Sequence, residues 1–263
     1  MSAAPQPEAG FRLTEAVLTV DADEQARDLE ACGIDPALFG DEADPANFIG
    51  LAIRALTASG FGAAGNVNML QTVVQHAPVR LGEPLTVSGE IVAVDPVPRG
   101  LRVTVVTEFH DADGRLKIGT RRESLRPDPA RAGARGAGSR PEPVIAAPEA
   151  LPVRERISLT PEGVTAYNSA GNPIHYDVAA ARAAGFRAPI IAGDMGVHLI
   201  TAWLWRMARP RMLDMSIFFR RPIFWDDALT LRSDGPEGAW RALALERDGK
   251  VATEVRLDRL ETA

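Results

Sequence analysis

The chain has 263 residues, of which 46% are hydrophobic and 24% are charged, a composition typical of a soluble globular protein that can bury a sizeable core in one large or two small domains. Its net charge of −6 argues against a nucleic-acid partner, since phosphate binding needs clustered lysine and arginine. The single cysteine, Cys32, excludes an internal disulfide framework and fits a reducing compartment. Because we find no signal sequence and no apolar run of membrane-spanning length, we expect a cytoplasmic protein without a membrane partner.

The first half of the chain predicts a long helix followed by an antiparallel meander. Residues 11–20 favour a strand, and residues 21–32 favour a helix or a ligand-flanking loop. Small and apolar residues share one face of 46–58, which predicts a helix suited to close packing. Four strands are then predicted, the last two joined by the hairpin signal Asp111-Ala-Asp-Gly114: 67–76, 84–94, 100–110 and 115–125.

A stretch rich in Ala, Gly, Pro and Arg, residues 127–151, is expected to be a flexible linker, because it has too few large apolar residues to fold. It divides the chain into an N-terminal unit, 10–126, and a C-terminal unit, 152–263. The second unit again predicts a helix, at 193–208, before a meander. Its predicted strands are 212–223, 228–233, 240–247 and 250–260.

The two halves also repeat at the level of residues. Pro78 aligns with Pro222, an offset of 144 (222 − 78), and the strand residues on both sides keep that register. After a shorter hairpin loop the offset falls to 135, where Gly114 meets Gly249 (249 − 114). A register kept through strand, proline and hairpin indicates that both halves have one fold.

The most informative stretch lies at the start of the second half. Thr160 is expected to cap one short helix, and Asp177 to cap another that Gly185 ends. Between them Asn172-Pro173 signals a turn, because proline disfavours the helical region for its predecessor. His175 is therefore expected on a fixed, irregular segment that faces a cleft.

At these positions the sequence resembles the MaoC-like, (R)-specific enoyl-CoA hydratase family of hot-dog proteins. The family pattern reads roughly S/T-G-D-x-N-P-I/L-H-x-D and then A-x-x-x-G-F-x-x-P-I-x-H-G. Two positions depart from it: Ala170 stands where the family has its catalytic aspartate, and Ala192 where it has a histidine. The matching residues are Asn172, Pro173, Ile174, His175, Asp177, Ala181, Gly185, Phe186, Pro189, Ile190 and Gly193.

The resemblance implies an α+β chain with a tandem (double) hot-dog fold, in which two antiparallel sheets each wrap around a central helix. The first unit would be a degenerate copy without the Asp/His motif. Further pairing into a homodimer of double units is possible.

The resemblance also implies a reaction and roles for the residues. The family adds water across the 2,3 double bond of an acyl thioester, so His175 would be the acid/base, Asn172 would orient the loop or the water, and the Gly193 amide would receive the thioester oxygen. The neighbours implied for the substrate are Ala170, Tyr167, Pro189 and Ala192, with Arg187, Arg220 and Arg221 for the phosphates. We expect no cofactor and no metal ion, only a CoA or pantetheine thioester as substrate.

Asp194 and His198, near the start of the predicted helix 193–208, leave alternatives open. Asp194 is either a terminal carboxylate stabilised by the helix dipole or the group that takes over water activation from the absent aspartate. His198 lies one turn later, where it would pair with Asp194 or sit in the helix interior.

Three functional hypotheses remain. The first is a hydratase or dehydratase acting on acyl-CoA or acyl-carrier-protein thioesters in fatty acid metabolism. The second is a non-catalytic thioester-binding or partner subunit, because loss of one member of a catalytic dyad can cost several orders of magnitude in rate. The third is another thioester reaction on the same fold, such as hydrolysis or isomerisation.

Overall fold

The computed structural model describes residues 6–62, 65–131, 141–168 and 171–262. None of the helices in these ranges is long and apolar enough to span a membrane. The helices are α1 (Ala22–Ala31), α2 (Asn47–Ala58), α3 (Pro161–Asn168), α4 (Val178–Ala183) and α5 (Gly193–Ala208). The strands are β1 (Phe11–Arg12), β2 (Ala16–Leu18), β3 (Val67–Gln75), β4 (Leu85–Val97), β5 (Gly100–His110), β6 (Leu116–Pro127), β7 (Val153–Ser158), β8 (Met212–Phe219), β9 (Ala228–Ser233), β10 (Ala242–Arg247) and β11 (Lys250–Glu261).

Most predicted elements are present, and the exceptions have local causes. The helix 193–208 and the strands 100–110 and 228–233 have the predicted bounds. The single strand predicted at 11–20 is wrong, since two short strands pair there with β4. The strand β7 is absent from the predicted elements. It pairs with β9 at the edge of the sheet and is mainly exposed, so its sequence shows little of the apolar alternation that marks a strand.

The α+β class and a largely antiparallel sheet are confirmed, but the expectation of two sheets is wrong. The strands form one eleven-stranded sheet, in which β1-β4-β5-β6-β3 continues directly into β8-β11-β10-β9-β7. The connection is the antiparallel pair β3 and β8. Left apart, both strands would be edges with unpaired backbone groups, and their pairing satisfies these groups.

The register between β3 and β8 has the same spacing as the sequence repeat. Thr72 lies opposite Ser216, and 216 − 72 is the offset of 144 found between the halves. If each residue of β3 is replaced by its repeat counterpart in β8, and each residue of β8 by its counterpart in β3, the same antiparallel register results. The repeat is thus expressed as an approximate two-fold relation about the β3–β8 contact.

The two long helices occupy the interior of the curved sheet. Phe48 of α2 packs edge-on against Phe109 of β5, with ring centroids 5.1 Å apart. Residues 195–205 of α5 are all buried, and Trp203 packs against Trp240 at 4.7 Å. Helix α2 contacts both β6 and α5. The start of α5 consequently lies where the two halves meet.

The predicted linker 127–151 includes residues 132–140, which lie outside the described residues. The part from 141 onward packs on the second half of the sheet. Ile145 is buried among Ala242, Ala244 and Val251. The guanidinium group of Arg220 donates to the carbonyl oxygens of residues 141 and 142 at 3.0 and 2.9 Å.

Candidate active site

Two capping interactions fix the loop that carries His175. Asn172 Oδ1 accepts a hydrogen bond from the Ile174 amide at 3.3 Å, at the start of a single 3₁₀ turn. Asp177 Oδ1 accepts from the Ala180 amide at 2.7 Å and caps α4, as predicted. Gly185 then ends α4 with φ +87°, a left-handed conformation that favours glycine. His175 is thereby held between two capped turns.

The imidazole of His175 has one ring nitrogen engaged. Nδ1 lies 2.8 Å from the carbonyl oxygen of Ile190, which can only accept, so Nδ1 carries the hydrogen and Nε2 keeps a lone pair. Burial lowers the pKa of His175, against the opposing effects of this hydrogen bond and of the Asp194 charge. The side chain is therefore a neutral base at pH 7.

A single large cavity of about 1310 Å³ joins this loop to both long helices. Its volume exceeds the ~300–1,000 Å³ of ordinary small-molecule pockets, so it suits an elongated ligand. Both halves contribute to its wall. Its polar and charged lining includes Glu24, Asp28, Asn68, Arg99, Arg102, Arg122, Asn172, His175, Asp194, His198, Arg220 and Arg221.

The N-terminus of α5 opens into the cavity. The first amides of a helix have no intrahelical partner, and the helix dipole makes this end favourable for an anion. Ala192, at the N-cap position, has no side-chain oxygen with which to cap them. A Cβ atom on Gly193 would lie 3.1 Å from the Phe219 ring and 3.6 Å from Asn68 Nδ2. Glycine thus permits a close approach and brings the Asn68 amide beside the helix start.

Asp194 lies at the same end of α5 and projects into the cavity towards α2. Its Oδ1 accepts a hydrogen bond from the Met195 amide at 3.1 Å. Its Oδ2 lies 3.8 Å from the point where a Cβ on Gly50 of α2 would be. The Asp194 charge also opposes the lowering of the pKa that burial causes at both His175 and Arg122.

Of the two alternatives for His198, a satisfied residue of the helix interior is confirmed, and its partner is Asp44 of the first half instead of Asp194. Its Nδ1 lies 2.7 Å from Asp44 Oδ2, and both side chains are almost fully buried. Burial lowers the pKa of His198, but the charge and hydrogen bond of Asp44, together with the charges of Asp194 and Asp28, outweigh burial, and the net shift is upward. Asp44 Oδ1 also accepts from the Ala46 amide at 2.9 Å. The pair therefore ties α5 to the start of α2.

Asp28 of α1 is a further titratable group in the cavity wall. Burial raises its pKa to about 6, with His198 opposing the shift and Glu24 and Asp194 adding to it. A carboxylic acid with this pKa can hold or release a proton near neutral pH.

Most residues predicted for the site line this cavity: His175, Asn172, Gly193, Asp194, Tyr167 and Ala192. Ala170 lies outside the described residues. Pro189 is buried next to the site, where its carbonyl accepts from the Trp225 amide at 3.0 Å. Arg187 lies away from the cavity wall, because it pairs with Asp226 and Asp227 at 2.8 and 2.7 Å and stacks on Phe224.

Sequence reasoning did not find four polar residues of the first half that form or support the cavity wall: Asp28, Asp44, Asn68 and Arg122. Asp44-Pro45 before a helix is an N-cap signal, which could have marked Asp44 alone. The repeat offers a signal for Arg122. At the offset of 135 its counterpart is the buried apolar residue Leu257, so a charge at this position is anomalous.

No protein-family model matches the chain, and no curated protein sequence does. Solved structures do resemble it. HtdX from Mycobacterium tuberculosis has 20% sequence identity and a TM-score of 0.73, with 94% of this chain and 98% of that chain covered. A MaoC-like dehydratase from Phytophthora capsici has 16% identity and a TM-score of 0.73, with 95% and 96% covered.

An acyl-ACP thioesterase from Bacteroides thetaiotaomicron is more distant in fold, with 13% identity and a TM-score of 0.57 over 93% of this chain and 96% of that chain. The fold shared with these proteins is the hot-dog fold. Since MaoC-like dehydratases and a thioesterase both have it, the fold leaves the reaction open.

Proposed function

We propose that this protein is an acyl-thioester hydratase or dehydratase, which adds or removes water across the 2,3 bond of an enoyl or 3-hydroxyacyl thioester. In this proposal, units 10–126 and 152–263 are two hot-dog units placed side by side. The observation that carries the proposal is the state of His175. Its Nδ1 is bound to Ile190, its Nε2 is left to accept a proton, and it shares one cavity with the N-terminus of α5.

In the hydration direction, His175 Nε2 takes a proton from water while the water oxygen bonds to C3 of the enoyl group. The electron pair of the 2,3 bond moves onto the thioester, whose oxygen becomes an enolate. The Gly193 amide receives this oxygen, with Asn68 Nδ2 as a second donor. Protonation of C2 by the imidazolium then restores the thioester and regenerates neutral His175, so that one water molecule is consumed.

Asp194 is the carboxylate that we assign to hold the water. It lies at the helix start, and its charge acts on His175. Position 170, where the family has its aspartate, is an alanine in this chain and cannot play that part. A negative charge beside the ring also stabilises the imidazolium that forms during proton transfer. In this assignment the partner of the base has moved from the loop to the helix.

The size and charge of the cavity favour a CoA or carrier-protein thioester. A pantetheine arm needs a long channel, and its phosphates need cationic donors, for which guanidinium groups are well suited. Six arginines line the cavity: Arg54, Arg99, Arg102, Arg122, Arg220 and Arg221. Arg187 is not among the residues that line the cavity, so it is given no phosphate contact in this binding mode.

Thioester hydrolysis is the second candidate, favoured by the structural likeness to an acyl-ACP thioesterase. The same base and helix terminus would then direct water to C1 instead of C3, and free thiol would leave. A subunit that binds the thioester without turnover is the third.

The test is an assay on crotonyl-CoA and on longer and branched enoyl-CoAs, together with calorimetric titration of saturated butyryl-CoA. Hydration, seen as loss of the ultraviolet absorbance of the conjugated thioester without release of thiol, is expected. Release of thiol would favour hydrolysis, and binding without turnover would favour a binding subunit. Neither binding nor turnover would overturn all three.

A further inference from the structure

Arg122 of β6 is a buried cation whose donors are not fully used. Its side chain is 8% exposed and lines the cavity. Neither Nε nor Nη1 has a hydrogen-bond partner among the described residues. Burial lowers the pKa of this guanidinium, with the nearby Asp194 charge opposing the shift. A buried charge without hydrogen bonds is costly, so its presence in a cavity wall calls for a partner.

The other half of the molecule shows that the fold does not require this charge. Arg122 lies directly across from Gln71 in the β3–β6 pair. At the repeat offsets, 71 + 144 and 122 + 135, the counterparts are Met215 and Leu257, which also lie opposite each other. Both are buried. One half therefore fills the position with an apolar pair, and the other buries a polar pair in which Gln71 Oε1 also lacks a partner among the described residues.

A carboxylate is the ligand that best fits a buried guanidinium. The planar fork of arginine matches the two oxygens of a carboxylate, and such bonds are stronger than those between neutral groups. Arg122 and His175 line the same cavity, so an acyl chain whose thioester end lies at His175 can extend within that cavity towards Arg122.

We propose that Arg122 binds a carboxylate at the far end of the acyl group, and that the protein acts on acyl thioesters derived from dicarboxylic acids. The thioester reaction in this inference rests on the proposed function. The carboxylate site itself is argued only from Arg122 and Gln71 of the first half. An acyl group with an apolar end would leave the guanidinium without a partner.

The experiment measures binding of saturated thioesters, which cannot be hydrated, by calorimetric titration. The probes are glutaryl-CoA, adipoyl-CoA and their isosteres in which an isopropyl group replaces the carboxylate. We expect the wild-type protein to bind at least one carboxylated probe about 10- to 150-fold more tightly than its isostere, the range for hydrogen bonds to charged groups. Arg122→Leu should abolish this preference, and Arg122→Lys should reduce it.

The double variant Gln71→Met/Arg122→Leu is the matched control, because it copies the apolar pair of the second half. We expect it to fold, to unfold at no lower temperature than the wild type, and to bind both members of each probe pair alike. The proposal would be overturned if the wild type showed no preference, or if the preference survived Arg122→Leu in a folded protein. Absence of enoyl-CoA turnover would count against the proposed reaction only, since these probes report binding.

Discussion

The two long helices begin in opposite ways. At the start of α2, the first helical amides donate to backbone carbonyls of the preceding turn, Asn47 to Asp44 and Phe48 to Pro45, and the Asp44 carboxylate accepts from the Ala46 amide. At the start of α5, Asp194 Oδ1 accepts from the Met195 amide, and Gly193 lines the cavity without a side chain to cover its own amide. Equivalent helix ends therefore have different uses. The amides at one end are bonded to the preceding turn, and the other end meets the cavity, where we propose that it binds the thioester oxygen.

The reacting groups and the recognition groups are divided between the halves in the same way. The second half provides the loop of His175 and the start of α5, while the first half contributes Asp28, Asn68 and Arg122 to the cavity wall. The pair formed by Asp44 and His198 holds these parts together. The candidate site is therefore formed only when the two halves are paired, since both contribute to the cavity wall.

The largest effect is expected from loss of the base. His175→Ala should reduce the rate of hydration by about 10²- to 10⁴-fold, the usual contribution of a positioned acid/base. His110→Ala is the matched control, because His110 lies on a strand of the first half and should leave the rate unchanged. Steady-state kinetics on the best enoyl-CoA measure both variants. Equal rates for His175→Ala and the wild type would contradict the assignment of His175 as the acid/base.

Asp194→Asn tests the assigned partner of His175. We expect kcat to fall by at least about 10²-fold with little change in KM, because an amide cannot stabilise the imidazolium that forms in the transition state. The control is Asp177→Asn, which changes a helix-capping carboxylate near the same loop. Unchanged turnover in Asp194→Asn would show that Asp194 only stabilises the start of α5 and does not take part in the reaction.

Asp44→Asn should destabilise the protein by about 3–5 kcal/mol, since it leaves a buried imidazolium without its counter-charge. Urea unfolding at pH 6 measures this loss. Asp35→Asn, which alters an exposed cap in the same half, should cost no more than about 1 kcal/mol.

The cost of Asp44→Asn also depends on pH, with a definite sign. Because the folded pKa of His198 is raised, the stability from this pair is fully present below the unfolded value of about 6.5 and is lost as pH rises through the folded pKa. The difference in unfolding free energy between wild type and variant should therefore shrink above pH 6.5. A difference that is constant or grows with pH would mean that His198 is neutral in the folded protein.

The smallest effects are expected from two glycines that line the cavity, Gly50 of α2 and Gly193 of α5. At Gly50 an added Cβ would meet Asp194 only at 3.8 Å, so Gly50→Ala should stabilise α2 by up to about 1 kcal/mol. At Gly193 the new Cβ would press on Phe219 at 3.1 Å, so Gly193→Ala should raise KM and lower the melting temperature. Thermal unfolding and steady-state kinetics measure the two variants. The same change in melting temperature and in KM for both variants would contradict the difference that we describe between the starts of α2 and α5.

The sequence predicts the site residues of the second half better than those of the first. Turn and capping chemistry around Asn172 and Asp177 is local, so the position of His175 on a fixed loop could be inferred from neighbouring residues. The role of Arg122 depends on which face of β6 meets α2, and residues 121–123 look like an ordinary solvated charge run. The pairing of His198 with Asp44 joins residues 154 positions apart, so helical spacing instead suggested Asp194. The β3–β8 junction is likewise a tertiary contact, which is why two sheets were expected.

The most direct test of the account follows the oxygen of water. Crotonyl-CoA is incubated with the protein in water enriched in a heavy oxygen isotope, and the products are analysed by mass spectrometry beside those of His175→Ala. The account predicts the heavy oxygen in the hydroxyl group of an intact 3-hydroxyacyl-CoA, and no label with the variant. Label in a free carboxylic acid with release of CoA, or hydration that persists without His175, would contradict it.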